Sequence, residues 1–73
     1  MIITTINDNK LFIQPDSLVS WGVITVLDDK GHRKSIAVSN SNFEEMDLPA
    51  DSKKIFLKIE TGSETITKTI NLL

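Results

Sequence analysis

The chain has 73 residues, 40% of them hydrophobic and 25% charged, with a formal net charge of −2. A chain this short forms one domain, spanning residues 1–73, and has no room for a deep cleft between layers; it buries only about 60% of its unfolded surface. The slight negative charge gives no general attraction to phosphate, so nucleic acid is not an expected partner, and the absence of cysteine excludes zinc–thiolate sites, thiol redox chemistry, a cysteine nucleophile and a disulfide framework.

Taken in order, the chain reads as short strands with period-two alternation. Met1 to Ile6 is rich in Ile and Thr, both good β-formers, and Asn7-Asp8-Asn9 is a turn cluster. Lys10 to Gln14 places Leu11 and Ile13 on one face and Phe12 on the other, before Pro15-Asp16-Ser17 breaks the strand. Ser20 to Asp28 is the longest strand. Trp21, Val23 and Leu27 lie on one face and Gly22, Ile24 and Val26 on the other, so both faces are apolar, as in a central strand. Asp28-Asp29-Lys30-Gly31 fits a type I turn closed by a left-handed glycine, and His32 to Val38 returns as its partner.

Ser39 to Asn42 is turn-like. Phe43 to Leu48 fits either a helical turn, with Phe43 and Met46 three apart, or an irregular crossover into a short strand at Met46 to Leu48, which is the favoured reading; a loop follows over Pro49 to Ser52. Lys54 to Glu60 alternates cleanly through Ile55, Leu57 and Ile59. Thr61-Gly62-Ser63 turns, and Glu64 to Leu72 is the last strand, with Ile66, Ile70 and Leu72 opposite Thr65, Thr67 and Thr69. About seven short strands with closely spaced turns predict an all-β sandwich. The expected core is Trp21, Ile24, Val26, Ile36, Val38, Leu57, Ile59, Ile66 and Ile70. The three Phe are also expected inside. Truncation of Trp21 to Ala is expected to cost roughly 3–5 kcal/mol.

"ITVLDDKGHRKS" resembles the V-x-D-x-x-G-K hairpin of immunoglobulin-like sandwiches found in Bacteroidetes, among them the Por-type tails of type IX secreted proteins. Val26, Asp28 and Gly31 hold the matching positions. "MDLPADSKKIFLKIETGSETITKTINLL" resembles the closing strands of that family, with Leu48, Leu57, Ile59, Gly62, Ile66 and Ile70 in place. The resemblance spans roughly residues 10 to 72 and implies an immunoglobulin-like β-sandwich. It does not carry the sorting role, because the family's Gly-x-Tyr is replaced by Lys53, Lys54, Ile55 and Phe56 and the basic ending is missing at Asn71-Leu72-Leu73.

No residue pattern points to catalysis. His32 is the single histidine and reads as an exposed turn residue; a general base would need an orienting partner, for which Asp28 and Asp29 across the hairpin are the candidates. Glu44, Glu45, Asp47 and Asp51 have no D-x-D-x-D-G register for calcium and read as a solvated acidic loop. No serine sits in a G-x-S-x-G elbow, and Gly22, Gly31 and Gly62 are too far apart to cradle a phosphate. Lys30, Arg33 and Lys34 make a basic patch without aromatic platforms, which reads as a solvated face. The N-terminus has no secretory signal pattern and no run is long enough to cross a membrane. The expectation is therefore a non-catalytic module with no cofactor and no metal. It would dock on a larger protein assembly, first of all a phage virion as an accessory or capsid decoration protein; the alternative is an adhesion or type IX sorting-type module from a bacterial surface protein. The candidate protein-binding residues are Ile2, Ile3, Ile6, Ile70, Leu72 and Leu73, because both terminal strands are β-prone and nearly uncharged.

Overall fold

The computed structural model describes residues 2–48 and 52–72. Its strands are β1 (Ile2–Asn7), β2 (Lys10–Pro15), β3 (Val19–Asp28), β4 (Arg33–Ser41), β5 (Glu44–Asp47), β6 (Lys54–Thr61) and β7 (Thr65–Asn71). They form two sheets, with strand orders β1-β2-β5 and β4-β3-β6-β7, and every pairing is antiparallel. The chain changes sheet between β2 and β3, between β4 and β5, and again between β5 and β6. This is a small antiparallel β-sandwich in which the fourth strand pairs with the third, on the larger sheet. The fifth strand lies at Glu44–Asp47, earlier than the expected Met46 to Leu48.

Two hairpins show how local chemistry sets the register. Asp8 and Asn9 both take left-handed φ values of 51° and 61°, as a two-residue primed turn requires, and Asn is among the few residues that tolerate it. The same Asn9 then ties the small sheet together. Its carbonyl accepts from Leu48 N at 3.0 Å, and its side-chain Nδ2 donates to Leu48 O at 3.1 Å. In the β3–β4 hairpin, Gly31 N donates to Asp28 O at 3.4 Å and Asp28 N to His32 O at 2.9 Å. Gly31 has φ 88°, as expected from the sequence. Gly31→Val, with no neighbour crowding the site, isolates backbone strain; it should cost on the order of 1 kcal/mol or more. An unchanged melting temperature would contradict the turn geometry.

The inner face of the larger sheet is organised in cross-strand rows. Ile36, Ile24, Ile59 and Ile66 form one row of four isoleucines. The next row is Lys34, Val26, Leu57 and Lys68, apolar in the middle and cationic at both ends. Against these rows pack Leu11, Ile13 and Met46 of the smaller sheet, together with Leu48, Val38 and Ile55, all buried. Of the expected core, Ile24, Val26, Val38, Leu57 and Ile59 are buried, whereas Ile36, Ile66 and Ile70 are half-buried at its margin.

Trp21 corrects the sequence expectation. It is 61% exposed and lies on the outer side of β3, opposite Ser39. The inward position belongs to its neighbour Gly22, where an added Cβ would stand 2.7 Å from the carbonyl oxygen of Glu60. Val19 packs against the core instead, its Cγ1 within 3.3 Å of that Cβ position. Val19 and Gly22 therefore both point inward although they differ by three residues, so the alternation breaks between them. On the paired strand, Asn40 takes φ 50° at the same level. The Phe expectation also fails: Phe43 and Phe56 are exposed and Phe12 is half-buried. Phe12 and Phe43 stack on the outer side of the small sheet with ring centroids 6.0 Å apart.

Candidate protein-binding surfaces

A sandwich has four sheet edges, and each presents unpaired backbone N–H and C=O groups unless something blocks them. Here the edges are β1 and β5 of the small sheet, β4 and β7 of the large one. The β5 edge has only four residues, and Glu45 and Asp47 stand on its outer side. The β4 edge carries Lys34 on its inner side, in the row of Val26. The β7 edge carries Lys68 on its inner side, in the row of Leu57. An inward-pointing charge on an edge strand blocks further pairing, because a strand added there would bury it. The β1 edge has none of these devices. Its residues, IITTIN, include no charge and no proline, and Ile3 is 56% exposed.

The residues singled out from the sequence divide between two sheets. Ile2, Ile70 and Leu72 are half-buried and pack against the core, and Leu72 is held by its N–H donating to Lys53 O at 2.8 Å. Ile3 and Ile6 are exposed on β1. Leu73 lies outside the described residues. The two terminal strands lie on the same side of the sandwich, where Lys68 Nζ donates to Thr4 Oγ1 at 2.9 Å. That contact bridges the sheets from within and leaves the β1 backbone edge open.

The most organised polar cluster surrounds Asp28, the last residue of β3, whose side chain is wholly inaccessible. Its Oδ1 accepts from Lys30 N at 3.0 Å and His32 N at 2.6 Å. Its Oδ2 meets His32 Nδ1 at 2.9 Å and accepts from Ser52 Oγ at 3.2 Å. Burial pushes the Asp28 carboxyl up, but the backbone N–H groups of His32 and Lys30, then the His32 ring, outweigh it and hold the carboxyl below its usual value. In the sequence Asp28 falls in the turn, and no local signal assigns it this role, because its partner Ser52 is 24 residues away.

The carboxylate stands between the serine and the imidazole, so Ser52 bonds to Asp28 and not to His32. A nucleophilic triad needs the imidazole in the middle to take the hydroxyl proton. This arrangement instead locks the hairpin to the segment before β6. The acidic run is split by the pleat: Glu44 lies on the inner side opposite Ile13 and accepts from Ser41 Oγ, while Glu45 and Asp47 lie on the outer side. Asp51 lies outside the described residues, and among the described residues no three His, Cys, Asp or Glu side chains gather as metal ligands.

Exposed apolar side chains mark the remaining surface. Leu18 is 59% and Trp21 61% exposed, and they share a shallow concavity with Thr61, Ser63 and Glu64 at the end of the sandwich where β3 begins. On the outer side of the large sheet, Leu27 and Phe56 pair directly across strands and are also exposed. The sequence signal for Trp21 was present in its parity, opposite to that of Ile24 and Val26 within the same strand.

No protein-family model matches the chain, and no curated protein matches it as a relative.

Proposed function

We propose that the chain is a non-catalytic docking module that attaches to a larger protein assembly by accepting one extended strand on β1. The carrying observation is the contrast among the four edges: three are blocked by inward lysines or by a short acidic strand, and β1 is left uncharged with Ile3 and Ile6 exposed. Strand addition supplies backbone hydrogen bonds for affinity and alternate side chains for specificity. A second copy is a poor occupant. Antiparallel pairing of two β1 strands with their inner sides aligned centres near Thr4 or Thr5 and draws together the two Lys68 ammoniums that bond Thr4. The occupant is thus an extended segment of a different protein.

A virion is the assembly this reading favours, with the chain as an accessory or capsid decoration protein. A domain of this size has a thin margin of stability and gains by mass action when held on a larger body. In a sedimentation gradient of the native source, the tagged chain is expected in the particle fractions. Ile3→Lys/Thr5→Lys, which charges only the outer side of the free edge, should release it to the light fractions with the melting temperature preserved. A wild-type chain found wholly in the light fractions would remove the proposal, and an undisturbed double variant would move the contact away from β1.

A further inference from the structure

Trp21 is the one tryptophan of the chain, and its indole lies open to solvent in a concavity of about 310 Å³ beside Leu18, Thr61, Ser63 and Glu64. The far wall is fixed. Thr61 N donates to Glu64 O at 2.9 Å, and Glu64 N donates to Thr61 Oγ1 at 3.2 Å, so Glu64 is held in a set relation to β6. No Lys or Arg occurs in residues 11–29, 35–52 or 59–67, which include both walls. Glu60, the next carboxylate along β6, already pairs with Lys58 at 3.7 Å, whereas among the described residues no Lys, Arg or His pairs with the Glu64 side chain. The site therefore joins an electron-rich ring face to a carboxylate and hydroxyl oxygens, with no Lys or Arg on either wall.

We propose that this concavity receives an arginine side chain of the docking partner, stacked on Trp21 and hydrogen-bonded to Glu64. Tryptophan is the strongest aromatic acceptor for a cation. A guanidinium suits it better than an ammonium, because its plane lies flat on the indole while its edge offers N–H groups to a carboxylate in a fixed fork. The hydroxyl of Ser63 can accept a further N–H. The rigid Thr61–Glu64 turn means that little ordering is needed on binding. The occupant rests on the docking reading, but the receptor chemistry does not depend on β1.

The test uses the full chain and small probes. Nα-acetyl-argininamide is titrated while the single indole N–H resonance and the backbone amides are followed. A saturable shift of the indole and of the Thr61–Glu64 amides is expected, with a dissociation constant on the order of millimolar for so small a ligand. The lysine analogue should bind several-fold more weakly, Glu64→Gln should weaken arginine binding several-fold, and Trp21→Ala should abolish the amide shifts while keeping the fold. An equal response to leucinamide, or a response to methyl glucoside without one to arginine, would overturn the proposal, as would no shift at all at probe concentrations on the order of 0.1 M. Because no partner is present, a negative result here leaves strand acceptance on β1 standing, and a failed gradient experiment leaves this result standing.

Discussion

Ile55→Ala is expected to lose about 3–4 kcal/mol of stability, by removal of buried methyl and methylene groups and the cavity left behind. Ile55 is fully inaccessible. It pairs with Asp28 on one side and Ile70 on the other, so it is walled by backbone on both flanks and the site has little freedom to collapse. A domain of this length has a total stability of roughly 4–11 kcal/mol, so the variant would sit near the limit of folding. Urea unfolding checks this. The comparison that gives it meaning is Trp21→Ala, which removes a larger side chain from a largely exposed position and should change stability by only about 0.5 kcal/mol or less. Equal midpoint shifts for the two variants would show that the sandwich does not pack as described.

The second large effect is expected at Asp28. Asp28→Asn keeps the size of the side chain but replaces one accepting oxygen by an N–H donor. That donor would face either the backbone N–H groups of Lys30 and His32 or the Ser52 hydroxyl and His32 ring, all of which now direct hydrogen bonds to the carboxylate. Buried donors left without an acceptor are costly. The variant should lose more melting temperature than Asp29→Asn in the same turn, whose side chain is exposed. The pH dependence has a definite sign. The folded carboxyl titrates below its ordinary value of 3.8, so ionised Asp28 stabilises the fold above that pH, and the contribution disappears as pH falls through the lower folded value. Wild type should therefore lose stability on acidification below about pH 4, and Asp28→Asn should lose less over the same interval. Parallel acid limbs for the two proteins would contradict the assigned role.

Much of this architecture can be read from the residues, and the failures have local causes. The β3–β4 hairpin is legible because Gly31 is placed where the turn needs a left-handed residue, and β6 because Ile55, Leu57 and Ile59 alternate without interruption. The inward side of β3 is harder. Both its faces are apolar, and the break in alternation between Val19 and Gly22 depends on the close approach of the Glu60 carbonyl, a tertiary contact with no local signal. Leu11 and Ile13, among the most deeply buried side chains, lie on the six-residue β2, whose importance appears only when the two sheets are stacked. The proposed docking edge is legible only in part. The uncharged β1 sequence is visible at once, but that Lys34 and Lys68 point inward follows from the register of strands far apart in the chain.

On the proposed docking reading, the row that begins with Lys34 and ends with Lys68 also sets the valency of the module. Both margins of the larger sheet are closed by the same device, and β5 is short and acidic, so a strand arriving at any of these borders meets a charge. One border remains. A body with a single receptive border can terminate a β-array but cannot extend it, since it offers no second site for the next member. Copies crowded side by side on one scaffold would each saturate at one guest strand, giving a fixed ratio of module to host and no route to a growing fibril.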